Sequence, residues 1–172
     1  MRLLFCSFVW VGFVFSQSPV KVMKVSAPKK ALVFEATVPA SLDAVWTAFT
    51  TSDGLSTWLT PNATVELRAG GEWTARFPGG GTGGGTIVSF KPKEELVMSA
   101  MAPPQFPHVR AERTTAKWEF TAVDGGSTKV MLTQTGWKSG EEWDKAYEYL
   151  ADGNAQLLEA LQERFRPAPA KK

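Results

Sequence analysis

The chain has few residues whose type and spacing would support catalysis. His108 is the only histidine, and the serine in residues 136–140 lacks the Gly-x-Ser-x-Gly spacing that presents a nucleophile on a sharp turn. Glu112 and Tyr147 are the only candidates for a general acid or base, and they form no recognisable pair with other catalytic groups. We therefore predict no catalytic residue, and we assign His108 to a surface loop.

Potential metal ligands are equally sparse. One histidine and one cysteine, Cys6, cannot supply the nitrogen and sulfur donors of a zinc site. Glu141, Glu142 and Asp144 form an acidic group, but carboxylates are favourable in the first turn of any helix because of its dipole. We predict no metal site and no cofactor.

Residues 79–84 match the pattern G-x-G-x-x-G. In dinucleotide-binding folds this pattern follows a strand and begins a helix, whose N-terminus meets the pyrophosphate. Here residues 86–90 alternate in the manner of a strand, and no Lys-Ser/Thr pair follows the glycines. We interpret the segment as a flexible hairpin loop.

A long amphipathic helix is predicted over residues 141–166. Its apolar residues recur with the 3.6-residue period, at Trp143, Tyr147, Leu150, Leu157, Leu161 and Phe165. Asn154 lies on this stripe, and a buried amide without a partner costs about 1–3 kcal/mol, so backbone, water or a ligand should bond it. Gly153 costs the helix about 1 kcal/mol relative to alanine, which indicates close backbone approach or a kink. Ser139 and Glu142 have the spacing of a capping box.

The elements that would position these residues are one strand, two short helices and six further strands. Residues 31–38 alternate, Ser41 is a suitable helix N-cap, and the period changes to two from residue 63 onward. The connections between strands are short, so the sheet should be antiparallel. We predict an α+β fold, in which a curved antiparallel sheet of about six to seven strands wraps around the long C-terminal helix, with two short helices after the first strand.

Large side chains dominate the positions that would face this helix. Ordinary core packing explains inward aromatic residues in most proteins. Lining of a cavity is the sharper interpretation, because one helix must cover several strands of roughly 20 Å or more each. The predicted ligand-binding residues are Trp46, Trp58, Trp73, Phe77, Phe90, Met98, Trp118, Phe120, Gln134, Tyr147, Leu150, Asn154 and Leu157.

The N-terminus and the composition limit the location and the partners. Residues 1–18 contain Arg2, an uncharged apolar run and small residues suited to cleavage after Ser16, which predicts a signal peptide. The run is shorter than the roughly 20 residues of a spanning helix. We therefore expect a secreted or periplasmic protein with no stable membrane span after processing; an uncleaved membrane anchor is the alternative. The net charge of +2, from 19 basic and 17 acidic residues, argues against a nucleic-acid partner.

These features divide the chain into four parts. Residues 1–18 are the predicted signal peptide, and residues 19–30, with several lysines and prolines, are predicted to be a basic linker without regular structure. Residues 31–166 form the predicted domain, and residues 167–172 a disordered tail.

Several motifs occur together in a characteristic order. Residues 38–46 form a strand-to-helix junction, residues 68–73 read Arg-Ala-Gly-Gly-Glu-Trp, residues 85–96 form a glycine-led hairpin, and residues 135–137 read Thr-Gly-Trp before the last helix. This order resembles the START-like, helix-grip superfamily (SRPBCC), and within it the branch named after the activator of the heat-shock protein 90 ATPase. Where that branch often has Gly-Trp within the last helix, this chain has Gly153-Asn154.

The leading hypothesis is an exported protein that binds a small hydrophobic or amphipathic molecule in an internal cavity. The resemblance implies two alternatives, a cyclase, dehydratase or hydrolase using the same cavity, and a co-chaperone-like activator of a chaperone ATPase. We favour binding over catalysis because no catalytic motif is recognisable. We expect no chaperone partner, because that ATPase is cytosolic whereas the N-terminus predicts export.

Overall fold

The computed structural model describes residues 19–167. Within them, eight strands form one antiparallel sheet in the order β1-β2-β8-β7-β6-β5-β4-β3. The strands are β1 (Lys21–Val25), β2 (Ala31–Val38), β3 (Asn62–Val65), β4 (Glu72–Arg76), β5 (Thr82–Lys91), β6 (Glu95–Met101), β7 (Thr114–Val123) and β8 (Ser127–Thr135). The predicted α+β plan, an antiparallel sheet with a long C-terminal helix, is confirmed, with eight strands where six to seven were expected.

The additional strand is β1, and it lies in the segment predicted to be a linker. It pairs with β2, with Lys21 opposite Glu35 and an ion pair of 2.8 Å between their side chains. Lys24 and Lys30 form ion pairs with Glu148 and with Asp144 of the C-terminal helix. The prediction of an unstructured linker is wrong because Lys21 and Lys24 lie on a paired edge strand, where charged side chains also discourage further strand addition.

Two short helices follow β2 and cover one part of the sheet. Helix α1 (Leu42–Thr50) begins at Ser41, whose side chain accepts a hydrogen bond from the Ala44 amide, as the N-cap prediction requires. Helix α2 (Ser52–Ser56) begins at once, with Thr51 as its N-cap. The buried face of α1 packs on β7 and β8 and includes Val45, Trp46 and Phe49.

A third short helix, α3 (Pro107–Glu112), occupies the segment around His108, which was assigned to a surface loop. His108 therefore lies in a helix, although it is largely exposed to solvent as expected. Proline at the first helical position suits the start of a helix, where its missing N–H costs nothing.

The final helix, α4 (Glu141–Arg164), packs along β2 and β1 and contacts α3. The predicted capping box is absent, because Gly140 is the N-cap residue and no side chain caps the helix. Glu142 instead accepts hydrogen bonds from the backbone amides of His108 and Val109, and so ties α3 to α4.

Candidate ligand pocket

A partly enclosed pocket of about 210 Å³ lies between the middle of α4 and the inner face of β4 to β8. Its wall is mostly apolar, and no charged side chain of residues 19–167 contributes to it. The lining residues are Trp73, Phe77, Gly83, Gly84, Met98, Ala100, Met101, Pro103, Ala116, Trp118, Leu132, Gln134, Tyr149, Leu150, Gly153, Asn154 and Leu157.

Small residues on facing elements create this space. Ala100 of β6 and Ala116 of β7 are inward-facing and buried, and Gly84 lies on the neighbouring strand β5. Opposite them, Gly153 lies at the centre of the α4 face that lines the pocket. We call this part of the concave face the open half.

Gly153 and Gly84 are glycines for different reasons. A Cβ atom added to Gly153 would meet no atom within 4 Å. Of the two expectations for this residue, close backbone approach or a kink, the first is therefore wrong, and the glycine leaves free volume. At Gly84, a Cβ would lie 2.1 Å from the carbonyl oxygen of Trp73, and the φ angle is +113°. Gly84 is therefore required by the close pairing of β4 with β5, and with Gly83 it belongs to a strand and not to a flexible loop.

The other part of the concave face, which we call the filled half, is packed around Phe49. This fully buried ring lies 4.7 Å from the ring of Trp118 and between 5.4 and 5.6 Å from those of Phe120, Trp73 and Trp58. Trp73 and Trp118 also line the pocket, so their rings form the partition between the two halves.

Two indole groups of this region satisfy the end of α1. Trp58 donates its Nε1–H to the carbonyl of Ala48 at 2.9 Å, and Trp73 donates to that of Phe49 at 2.8 Å. The last carbonyls of a helix have no intrahelical partner, and the last turn of α1 has no basic residue. Among the described residues, Trp118 is different, because its Nε1 is buried and has no hydrogen-bond partner.

A chain of hydrogen-bonded side chains forms the polar part of the pocket. Asn154 donates from Nδ2 to Oε1 of Gln134 at 2.8 Å, and Gln134 donates from Nε2 to Oγ1 of Thr114 at 2.8 Å. Gln134 and Thr114 are buried, whereas Asn154 is only partly buried and lines the pocket. The partner of Asn154, left open by the sequence, is therefore a side chain, and the amide lies where a ligand can reach it.

The mouth of the pocket carries two exposed aromatic rings. Phe77 at the end of β4 is 40% exposed and Tyr149 of α4 is 49% exposed, although both line the pocket. Phe106 packs edge-on against Tyr149, with 5.4 Å between the ring centroids, and Pro103 lies on the same side. Apolar surface at this entrance can therefore contact a molecule that enters.

The structure places most of the predicted ligand-binding residues on this pocket, and their role as ligand contacts stays a prediction. Those that line it are Trp73, Phe77, Met98, Trp118, Gln134, Leu150, Asn154 and Leu157. Phe77 is more exposed than expected, because it lies at the mouth.

Five predicted residues lie elsewhere. Trp46 and Phe120 contact each other in the filled half, and Trp58 packs on Phe49. Phe90 packs against the core beyond a register shift in β5 between Ile87 and Ser89, and it does not line the pocket. Tyr147 faces β2 instead, where its hydroxyl donates to the carbonyl of Ala31 at 2.8 Å. Period-two alternation identifies inward residues correctly, but it does not say which of them other side chains will cover.

Three buried residues of the wall were not among the predicted ligand-binding residues. Ala100, Ala116 and Leu132 are inward positions of the predicted strands, so alternation alone could have found them. The small size of the two alanines was the sequence signal that could have indicated a cavity. The number of aromatic residues was not such a signal, because many of these residues fill space.

The two candidate catalytic residues do not reach the pocket. Glu112 forms an exposed ion pair with Lys138, and Tyr147 is buried against β2. Burial raises the pKa of the Tyr147 hydroxyl above its usual value, so the group stays protonated at neutral pH and is a weaker acid than an exposed tyrosine. Within the described part of the chain, no group of three or more His, Cys, Asp or Glu side chains is arranged to hold a metal ion.

His108 and Glu142 form the one close histidine–carboxylate contact of the described residues, at 2.7 Å between Nδ1 and Oε2. Desolvation raises the pKa of Glu142, but hydrogen bonds from Val109 and His108 outweigh it, so its pKa lies below the usual value. Neither residue lines the pocket, and the pair joins α3 to α4.

Comparison with protein-family models shows which family the chain belongs to. Residues 39–166 match the family model described as activator of Hsp90 ATPase homolog 1-like protein. The chain belongs to this family. The match covers the elements from α1 to α4, and therefore every residue of the pocket.

Solved structures share the fold of this family member at low sequence identity. The protein Ms6760 of Mycobacterium smegmatis superposes with a TM-score of 0.68 and 19% identity, over 88% of this chain and 99% of that one. MLL2253 of Mesorhizobium loti superposes with a TM-score of 0.66 and 19% sequence identity, over 78% of this chain and 95% of that one. The Aha1 dimer of Colwellia psychrerythraea superposes with a TM-score of 0.57 and 20% sequence identity, over 77% of this chain and 96% of that one. At these identities the similarity shows the fold alone.

A comparison with proteins of curated function finds no match. Among residues 19–167, no helix is both long enough and apolar enough to cross a bilayer.

Proposed function

We propose that this protein binds a small hydrophobic or amphipathic molecule in the pocket between α4 and the sheet. One observation supports this most directly: an apolar cavity of about 210 Å³ with an amide at its wall and an exposed aromatic entrance. Ligand sites are commonly concave and apolar, with a small number of polar groups that fix orientation.

The retention of the cavity also supports binding. A glycine in the middle of a helix costs about 1 kcal/mol relative to alanine, and the space beside Gly153 would accept a side chain. A protein selected only for stability would gain from filling it, through both helix propensity and packing. The empty volume is therefore consistent with a ligand that occupies it.

Catalysis has less support than binding. Neither Glu112 nor Tyr147 lines the pocket, and no other charged or titratable acid or base among the described residues does, apart from the tyrosine hydroxyl at the mouth, Tyr149. General acid–base chemistry requires a titratable group within hydrogen-bond reach of the substrate.

Activation of a chaperone ATPase, which the family description suggests, also has less support. The predicted signal peptide at residues 1–18, which lies outside the described residues, argues against a cytosolic partner. We propose export on the same basis. Mass spectrometry of the protein from a native host should show a mature N-terminus after Ser16; an intact Met1 in the exported or membrane fraction would instead support an anchor.

Intrinsic fluorescence provides the test of binding, because Trp73 and Trp118 line the pocket. We expect saturable quenching by members of a library of small apolar compounds, and a guest retained in native mass spectrometry. The variant Gly153→Leu should abolish both signals by filling the open half. The control Asp152→Leu places the same side chain on the exposed side of α4 and should leave binding unchanged. If Gly153→Leu binds the same compounds with unchanged affinity, the pocket is not their site and the proposal is wrong.

A further inference from the structure

We infer that the ligand is an uncharged compound of one or two fused rings that carries a single hydrogen-bonding group. This inference rests on the proposed function and names the class of molecule that the open half accepts. Four observations support it. The lack of charge in the wall excludes charged ligands, the volume of the cavity limits their size, the shape of the wall favours rings, and Asn154 provides the hydrogen-bonding partner.

The wall excludes charged ligands. In the part of the chain that the structure describes, no Asp, Glu, Lys, Arg or His side chain lines the pocket. The guanidinium of Arg110 is near the mouth, but it donates to the carbonyl oxygens of Thr82 and Ala102 and does not line the cavity. A carboxylate or ammonium entering this space would lose its hydration without gaining a counter-charge, which is costly in an apolar environment.

The volume limits the size of the ligand. Drug-sized ligand pockets enclose roughly 300–1,000 Å³, whereas an apolar cavity of about 150 Å³ holds a single benzene ring. The present cavity of about 210 Å³ lies between these values and suits one ring or two fused rings. A long acyl chain or a steroid would not be enclosed.

The shape of the wall favours rings over flexible chains. The rings of Trp73 and Trp118 contribute to one side of the pocket, and Leu150 and Leu157 of α4 to the other. Aromatic faces stack favourably on flat ligands. A flexible chain would also lose more rotational freedom on binding than a rigid ring.

Asn154 supplies the hydrogen-bonding partner. Its Nδ2 is directed to Gln134, and among the described residues none donates a hydrogen bond to its Oδ1. Because Gln134 is itself fixed by Thr114, the orientation of the amide is set before a ligand arrives. A hydroxyl or N–H group on the ligand can therefore donate to Oδ1 without a rearrangement of the pocket.

Isothermal titration calorimetry at pH 7 with three probes tests the inference. The probes are 2-naphthol, which is uncharged, 2-naphthoate, which has the same rings and a negative charge, and 1-decanol, which is uncharged but acyclic. We expect 2-naphthol to bind at least roughly tenfold more tightly than 2-naphthoate, because of the uncompensated charge. It should also bind more tightly than 1-decanol. In Asn154→Leu the affinity for 2-naphthol should fall roughly fivefold, the worth of one neutral hydrogen bond, whereas Asp152→Leu should not change it.

The outcomes separate this inference from the proposed function. Equal or tighter binding of 2-naphthoate would overturn the exclusion of charge and implicate Arg110, while ligand binding itself would stand. Tighter binding of 1-decanol would overturn the ring class in the same way. An unchanged affinity of a folded Asn154→Leu variant would overturn the role of the amide. If none of the probes binds and no guest is found by native mass spectrometry, the proposed function is wrong as well.

Discussion

The two halves of the concave face are built on the same strands but differ in the size of their inward residues. Along β7, the inward positions are Phe120 and Trp118 in the filled half, then Ala116 and Thr114 in the open half. In the filled half, Phe49 enters from α1 and contacts several aromatic rings. In the open half, α4 presents Gly153 and leaves the space beside it empty.

This difference shows that aromatic residues close space in this protein and that small residues open it. Of the tryptophans that were predicted to surround a ligand, Trp58, Trp73 and Trp118 pack on Phe49 of α1, and Trp46 of α1 packs on Phe120. Among these four tryptophans, Trp73 and Trp118 also line the pocket. The cavity exists because small alanine side chains on two adjacent strands face a glycine on the helix, with open space between them.

The largest difference between the halves should appear when each loses a large side chain. Phe49→Ala should destabilise the protein by about 3–5 kcal/mol, because it creates a cavity in a packed cluster. Leu150→Ala should cost only about 1 kcal/mol, because this side chain already borders open space. Urea denaturation with a constant m-value measures both. Equal losses would mean that the open half is packed in solution, and Phe49→Leu provides a milder variant if Phe49→Ala does not fold.

A matched pair of tryptophan substitutions tests the hydrogen bonding of the two indole groups that separate the filled half from the open half. Trp73→Phe removes the donor to the Phe49 carbonyl and leaves a helix-end acceptor unsatisfied. Trp118→Phe removes an N–H group that has no partner among the described residues. Both changes delete a similar volume, so Trp73→Phe should be more destabilising by about 1–3 kcal/mol. Equal free energies of unfolding would contradict the assigned hydrogen bond.

Filling the open half should separate stability from binding. Gly153→Ala should raise the free energy of unfolding by up to about 1 kcal/mol, because alanine favours the helix and its Cβ meets no atom within 4 Å. The same variant should weaken ligand binding, because the methyl group occupies part of the pocket. Thermal unfolding and calorimetric titration measure the two effects. A loss of stability would show that the space at Gly153 is needed by the fold itself.

The smallest effect should come from the link between α3 and the N-terminal turn of α4. The pKa of Glu142 is lowered in the folded protein, so its contribution to stability is present above the pKa of the unfolded chain and is lost as the pH falls through the folded pKa. Glu142→Gln should therefore lower the thermal midpoint at pH 7, and the difference from wild type should narrow in acid. Glu159→Gln serves as a control for the loss of one exposed carboxylate. A difference that is independent of pH would show that the charge of Glu142 is not involved.

Much of the fold could be predicted from periodicity, because a helix or strand with one buried face has apolar residues at regular intervals in its sequence. The alternation in β2, β7 and β8 and the 3.6-residue stripe of α4 are examples. The prediction was wrong where a segment lacked its own apolar face, as in β1, whose pairing with β2 uses backbone groups that every sequence carries. The capping box was wrong because Glu142 has a partner in α3, distant in the sequence.

The sequence by itself determined the class of fold, the long C-terminal helix and the presence of an amide on its apolar stripe. Only the tertiary structure decided which part of the concave face is filled, since Phe49 and its aromatic neighbours come from separate elements that meet only on folding. The tertiary structure also decided the hydrogen-bond partner of Asn154, because Gln134 is distant in the sequence and comes close only on folding. It decided the role of Gly153 too, because the open space beside this residue exists only once the helix packs over the sheet.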